Sequence, residues 1–67
     1  MITKDMVTTI ANYLHVNVYQ LFCQASEWQD EGLNREMVQE AYDRFITDQT
    51  VADFVYEYCE LIAESMG

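Results

Sequence analysis

The chain has 67 residues and a mass of 7.9 kDa, which is enough for one domain at most, since domains typically have roughly 100–150 residues. Its 12 acidic residues outnumber 3 basic ones, which gives a formal charge of −9 and an isoelectric point near 4.1. This charge argues against direct binding to DNA, RNA or an anionic membrane, because all three repel an acidic protein. Half of the residues are hydrophobic (51%), as is typical of a folded chain rather than a disordered one.

The sequence lacks the features of a membrane or secreted protein and of a disulfide-bonded or metal-binding one. No stretch approaches the roughly 18 apolar residues of a membrane span, and no basic-then-apolar leader is found, so we expect a cytoplasmic protein. Cys23 and Cys59 are too few for a disulfide scaffold and too far apart for a metal-binding Cys-x-x-Cys motif. A core this small is only marginally stabilising, so we expect further apolar burial in a homodimer or against a partner protein.

The first two helices are predicted over roughly 4–15 and 18–31 from the spacing of apolar residues. Thr3 can cap the first, and Asn17 with Gln20 forms a capping-box pattern at the start of the second. Gly32 is expected to end the second helix in a left-handed conformation. The predicted buried faces comprise Met6, Val7, Ile10 and Leu14 in the first helix and Val18, Leu21, Phe22, Ala25 and Trp28 in the second.

The third and fourth helices are predicted over roughly 35–47 and 51–65. Asn34 can cap the third, and Asp48 or Thr50 starts the fourth, where Thr50 and Asp53 form a second capping pattern. The predicted buried faces comprise Met37, Val38, Ala41 and Phe45 in the third helix and Val51, Phe54, Val55, Tyr58, Leu61 and Ile62 in the fourth. Strand-like alternation is nowhere sustained. The sequence therefore predicts an all-α fold, a compact bundle of about four short helices forming a single domain over 1–67.

Residues 7–25 carry a pattern of small and apolar positions, formed by Ile10, Ala11, Leu14, Val16 and Leu21. The segment resembles the core of a helix-turn-helix, in which a small residue lets the helices approach and apolar residues pack them together. It departs from that family at His15, where glycine is usual, and its second helix has no lysine or arginine for DNA phosphates. The resemblance therefore implies the helix geometry and not DNA binding, and two short packed helices of another kind give the same pattern.

Acidic residues cluster on one side of each of the last two helices. On the fourth, Asp53, Glu57, Glu60 and Glu64 fall within about 60° of one another, opposite the apolar face, and Glu36, Glu40 and Asp43 cluster in the same way on the third. Like charges at this spacing repel, and carboxylates near the carboxyl end of a helix oppose its dipole. A solvated face that keeps the protein soluble is one interpretation. The other is a binding surface for a basic partner.

The acidic helices suggest a function by analogy. Successive acids lie about 5–6 Å apart along the helix axis, so a protein that grips nucleic-acid phosphates could grip them instead. As a class, acidic helical immunity proteins and phage-type inhibitors of nucleic-acid enzymes act in this way, as DNA mimics, and the chain resembles them in charge and helical character. Tyr19 and Tyr56 lie on the flanks of their helices and are candidate anchors for the partner. Our first hypothesis is a non-enzymatic inhibitor or regulator that occupies the basic surface of a nuclease, defence complex or transcription protein.

Catalytic patterns are missing from the sequence. His15 is the one histidine, and no Glu-x-x-His pair, calcium loop, phosphate-binding glycine loop or serine elbow occurs. We therefore predict no enzyme activity, no cofactor and no metal. The second hypothesis is a small helix-turn-helix-like regulatory or assembly subunit that binds proteins through an apolar and tyrosine surface.

Overall fold

A computed structural model describes residues 2–29 and 34–66. These residues form α1 (Lys4–Tyr13), α2 (Val18–Gln29), α3 (Arg35–Asp48) and α4 (Asp53–Met66). The described ranges contain no strand, and the predicted all-α bundle of four short helices is confirmed. Helix α2 is central because it packs against each of the other three, and α1 also packs against α4. Within the same ranges, no helix has both the length and the apolar composition needed to cross a bilayer.

Side-chain caps fix the starts of α1 and α2. The Thr3 hydroxyl oxygen accepts a hydrogen bond from the Met6 amide at 3.3 Å. Asn17 and Gln20 form a reciprocal capping box, in which the Gln20 amide donates to the Asn17 side chain at 2.8 Å and the Asn17 amide donates to the Gln20 side chain at 2.9 Å. Both predicted caps are confirmed, and α2 begins at the predicted residue.

The turn between α1 and α2 is a Schellman motif centred on His15. The His15 amide donates to the Asn12 carbonyl at 3.1 Å, and the Val16 amide donates to the Ala11 carbonyl at 3.0 Å. His15 itself has a φ of 61°, in the left-handed region that glycine adopts without steric penalty. This turn ends α1 at Tyr13, which is two residues before the predicted bound.

Helix α3 begins and ends through similar backbone devices. The Asn34 side chain accepts from the Met37 amide at 2.9 Å, which confirms this predicted cap. Gln49 has a φ of 61° and its amide donates to the Phe45 carbonyl at 3.1 Å, closing the helix one residue later than predicted. Asp48 therefore belongs to α3, and the prediction that it starts the fourth helix is wrong.

Helix α4 begins two residues later than predicted. The Ala52 carbonyl accepts the first bond of the helix from the Tyr56 amide at 2.8 Å, so Ala52 occupies the N-cap position. Thr50 lies two residues before this cap, and the predicted Thr50–Asp53 capping pattern is wrong. The predicted role of Gly32 at the end of α2 lies outside the described residues.

The core is built around Phe22 of α2. Its ring packs edge-on against Phe45, Tyr42 and Phe54, with centroids 5.4, 5.8 and 6.1 Å apart. The buried residues are Ile2, Val7, Ile10, Ala11, Leu21, Phe22, Ala25, Val38, Phe45, Val55 and Cys59. Cys59 is thus a core thiol.

The predicted buried faces are too wide. The side chains of Met6, Trp28, Met37 and Leu61 were predicted to be buried and are exposed. The first three lie in terminal turns of their helices, where the neighbouring helices no longer cover them. Leu61 lies about 120° around α4 from the buried Val55. A further seven residues that were predicted to be buried are half-buried against the core, namely Leu14, Val18, Ala41, Val51, Phe54, Tyr58 and Ile62.

Candidate protein-interaction surface

Four carboxylates form a continuous row on α4, which we call the α4 acidic row: Asp53, Glu57, Glu60 and Glu64. All four are exposed and lie on the side of the helix opposite the buried Val55 and Cys59. The row is about 16 Å long, from the rise of an α-helix. Helix α4 contains neither lysine nor arginine, so the row is not interrupted by a positive charge from its own helix.

The second row, the α3 acidic row, comprises Glu36, Glu40 and Asp43, all of them exposed. Two of the three already have partners. Glu40 lies 3.9 Å from the Arg44 guanidinium, and Asp43 accepts a hydrogen bond from the Gln39 amide group at 3.0 Å. The Glu40–Arg44 contact is the one carboxylate–cation pair within 4.0 Å in residues 2–29 and 34–66. The carboxylates of the α4 acidic row therefore have no cationic partner in this part of the chain.

A shallow groove of about 210 Å³ lies between the α3 acidic row and the residue that precedes α4. Its lining includes Glu40 and Arg44 from α3 together with Ala52, which directly precedes Asp53. Arg44 places a positive charge at this junction. The α4 acidic row is consequently the stronger and less interrupted negative surface of the two.

The two candidate tyrosine anchors lie in different surroundings. Tyr56 is half-buried against the core and lies about 40° around α4 from Glu60, beside the α4 acidic row. Tyr19 packs edge-on against Tyr42 at 5.2 Å and lines a cleft of about 420 Å³ with Arg35, between α2 and α3. The structure thus brings Tyr56 to the α4 acidic row and places Tyr19 on the α3 side of α2.

Sequence reasoning missed an apolar patch beside the α4 acidic row, formed by Trp28, Tyr58 and Leu61. The Trp28 and Tyr58 rings lie 5.7 Å apart, although the Trp28 side chain is 46% exposed. Leu61 is 45% exposed and follows Tyr58 by three residues, on the side of α4 that turns toward the acidic row. The sequence places Leu61 about 40° around the helix from Glu57, beside the acidic row, but it does not show that the leucine side chain is left uncovered.

Contacts between α2 and α4 hold this apolar patch in place. Phe22 packs on Phe54 and, farther along both helices, Trp28 packs on Tyr58, so α2 and α4 run in the same direction. Removal from water raises the pKa of the Tyr58 phenol, and the neighbouring Cys59 adds to the shift. Burial also raises the pKa of the Cys59 thiol to about 11, so this group is a neutral thiol at neutral pH.

The potential metal-ligating side chains within 2–29 and 34–66 form no cluster that could bind a metal ion. Among the residues that the structure describes, no three histidine, cysteine, aspartate or glutamate side chains are close enough together to hold a metal ion. His15 is exposed in the turn between α1 and α2. The carboxylates of the α4 acidic row are therefore spread along the helix and do not converge on a common metal-binding point.

No family model matches the chain, and neither a curated protein nor a solved structure matches it. The molecule is defined by its fold and surface, as an acidic all-α bundle whose α4 acidic row has no cationic partner among the described residues and is bordered by an apolar patch.

Proposed function

We propose that this chain is a non-enzymatic binding protein that occupies the basic, nucleic-acid-handling surface of a partner protein in the cytoplasm and blocks or regulates it. The α4 acidic row is the observation that carries the proposal. Candidate partners are nucleases, defence complexes and transcription proteins, which share a basic surface shaped to hold phosphates. The α3 acidic row, Tyr56 and Tyr19 are proposed to contribute secondary contacts.

The electrostatics of the row support binding to a basic surface. Four exposed carboxylates at intervals of about 5–6 Å repel one another, and like charges three or four residues apart destabilise a helix. Lysine and arginine side chains of a partner would relieve this repulsion at every position. The net charge of −9 adds a long-range field that attracts a basic protein and repels nucleic acid itself.

The decisive test is mutual exclusion between this chain and DNA. Proteins eluted from DNA-cellulose are passed over the immobilised chain, and a retained protein is purified. We expect that the chain then displaces a fluorescent DNA duplex from this protein competitively. The D53N/E57Q/E60Q/E64Q variant should lose about tenfold or more in displacement. A complex in which the duplex and the chain are bound together would contradict the proposal.

A matched control separates the row from general charge. The E36Q/E40Q/D43N/D48N variant removes the same number of carboxylates from α3, where Glu40 and Asp43 already have partners. We expect it to weaken displacement less than the α4 variant does. Equal losses would show that net charge alone attracts the partner.

A second candidate function has one structural observation in its favour. Tyr13 is 54% exposed and lies on the same side of α1 as the exposed Met6, seven residues earlier. Met6 also lines a cavity of about 250 Å³ with Ala63 and Met66 of α4. This apolar and tyrosine surface supports a helix-turn-helix-like regulatory or assembly subunit. Salt separates the two candidates, because binding through this surface would persist at an ionic strength that weakens binding through acids.

A further inference from the structure

The geometry points to one docking mode, which rests on the proposed function and specifies the partner's binding segment. We propose that the apolar patch of Trp28, Tyr58 and Leu61 receives the apolar side of a basic amphipathic helix, whose cationic side lies against the α4 acidic row.

The apolar patch consists of large side chains that the fold leaves uncovered. Trp28 and Leu61 come from different helices, and each exposes nearly half of its side chain. Tyr58 links the two, because its ring packs on Trp28 and it lies one helical turn before Leu61 on α4. Tryptophan and tyrosine are the residues that most often dominate binding energy at protein interfaces. The Trp28–Tyr58 contact and the three-residue spacing of Tyr58 and Leu61 therefore place the three side chains next to one another at the α2–α4 seam.

Charge around the apolar patch specifies the occupant. Leu61 has Glu57 one turn before it and Glu64 one turn after it on α4. Helices α2 and α4 contain no lysine or arginine. A second copy of this chain would bring two acidic rows together, and a nucleic acid or an anionic membrane would be repelled. A cationic polypeptide with an apolar side is the occupant that satisfies both parts of the surface.

The dimensions favour a helical occupant. The acids of the row recur at intervals of four, three and four residues, which is the spacing of one face of an α-helix. A partner helix lying along α4 therefore meets each carboxylate with a lysine or arginine at the same interval. An extended strand repeats its side chains every ~6.6–6.8 Å on one face and would lose register along a row of about 16 Å.

Contacts between α2 and α4 hold Tyr58, the middle residue of the apolar patch, in place before binding. The Tyr58 hydroxyl donates to the Gln24 side chain at 3.3 Å, and the packing of Phe22 on Phe54 fixes the same pair of helices one layer below. Preorganised side chains lose little conformational freedom when a partner binds. The patch is thus suited to act as an anchor, while the acidic row attracts and orients the partner.

The test uses a synthetic 18-residue peptide of leucine and lysine, arranged as an amphipathic helix without tryptophan. Trp28 is the one tryptophan of the chain and reports binding directly. We expect saturable binding with a blue shift of Trp28 emission. Leu61→Ser should weaken binding about tenfold, because it removes an apolar side chain that the bound helix would bury. Ile46→Ser is the matched control, because Ile46 is 53% exposed on α3, and it should leave binding unchanged. Circular dichroism confirms that both variants fold.

Five results separate this inference from the proposed function. Weakening by both Leu61→Ser and D53N/E57Q/E60Q/E64Q supports the docking mode. Weakening by the acid variant alone overturns the docking mode and leaves the proposed function standing. Equal effects of Leu61→Ser and Ile46→Ser, or no change in Trp28 emission with the peptide, also overturn it. A blue shift that depends on the concentration of the chain alone would identify a second copy as the occupant and overturn it as well.

Discussion

The Tyr58 hydroxyl on α4 donates a hydrogen bond to the Gln24 side chain on α2, 3.3 Å away, and the ring of the same tyrosine packs against Trp28. One residue therefore ties together the two central helices and supports the exposed indole. We expect Tyr58→Phe to keep the ring packing and lose the hydrogen bond, which destabilises the fold by about 0.5–1.5 kcal/mol. Urea denaturation measures the loss. Tyr13→Phe is the control, because Tyr13 is more than half exposed (54%), and a loss as large as that of Tyr58→Phe would contradict this role.

Backbone strain at His15 predicts a stabilising substitution. His15 has a φ of 61° in the turn that closes α1, and non-glycine residues in this region are disfavoured by roughly 1–2 kcal/mol. His15→Gly should therefore stabilise the fold by about 1 kcal/mol after the greater chain entropy of glycine is subtracted. His15→Val should destabilise it, because β-branched residues fit this conformation worst. Paired urea titrations check both, and a destabilised His15→Gly variant would show that the turn is not strained.

Alkaline pH should destabilise the fold through Cys59. Burial raises the pKa of its thiol from the ordinary 9.0 to about 11. Between these values the unfolded chain releases the thiol proton while the folded chain retains it, so stability falls as pH rises. The thiol contributes on the order of 2 kcal/mol to this fall between about pH 9 and pH 11. Denaturation of the parent and of Cys59→Ala across this range isolates the contribution, and parallel pH profiles would contradict the assignment.

Core and surface aromatic residues should differ sharply in their contribution to stability. Phe22 is fully buried among three rings, and Phe22→Ala should cost about 3–5 kcal/mol, enough to unfold a small domain. Trp28→Ala removes a half-exposed ring and should leave a folded protein. Thermal unfolding followed by circular dichroism compares the two. If Trp28→Ala unfolds the chain as Phe22→Ala does, the indole belongs to the core and the apolar patch does not exist.

Local features of the fold could be predicted from the sequence because they depend on neighbouring residues. The capping box of Asn17 and Gln20 and the cap at Asn34 need only side chains within one turn. The position of the Schellman turn at His15 was predicted less accurately, because no glycine marks the left-handed residue. In the same way, Gln49 extended α3 beyond its predicted end.

The candidate surface was predictable only in part. The regular spacing of the α4 acidic row places its carboxylates together on any helix, so its exposure followed from the sequence. The exposure of Trp28 and Leu61 depends on where the neighbouring helices end and on the direction from which they approach. The spacing of apolar residues within one helix gives no information about either. Tyr19 was separated from the acidic row for the same reason, since its contact with Tyr42 is set by the packing of α2 on α3.

The central claim is that the α4 acidic row draws the chain to a basic protein surface, and the salt dependence of association tests it most directly. The association rate with the protein purified by DNA-cellulose and the immobilised chain is measured between about 50 and 500 mM salt, a range over which the screening length falls severalfold. For the parent we predict a fast rate that declines steeply with salt, and for D53N/E57Q/E60Q/E64Q a slower rate with a flatter decline. Equal rates and equal salt slopes for the two proteins would contradict the account.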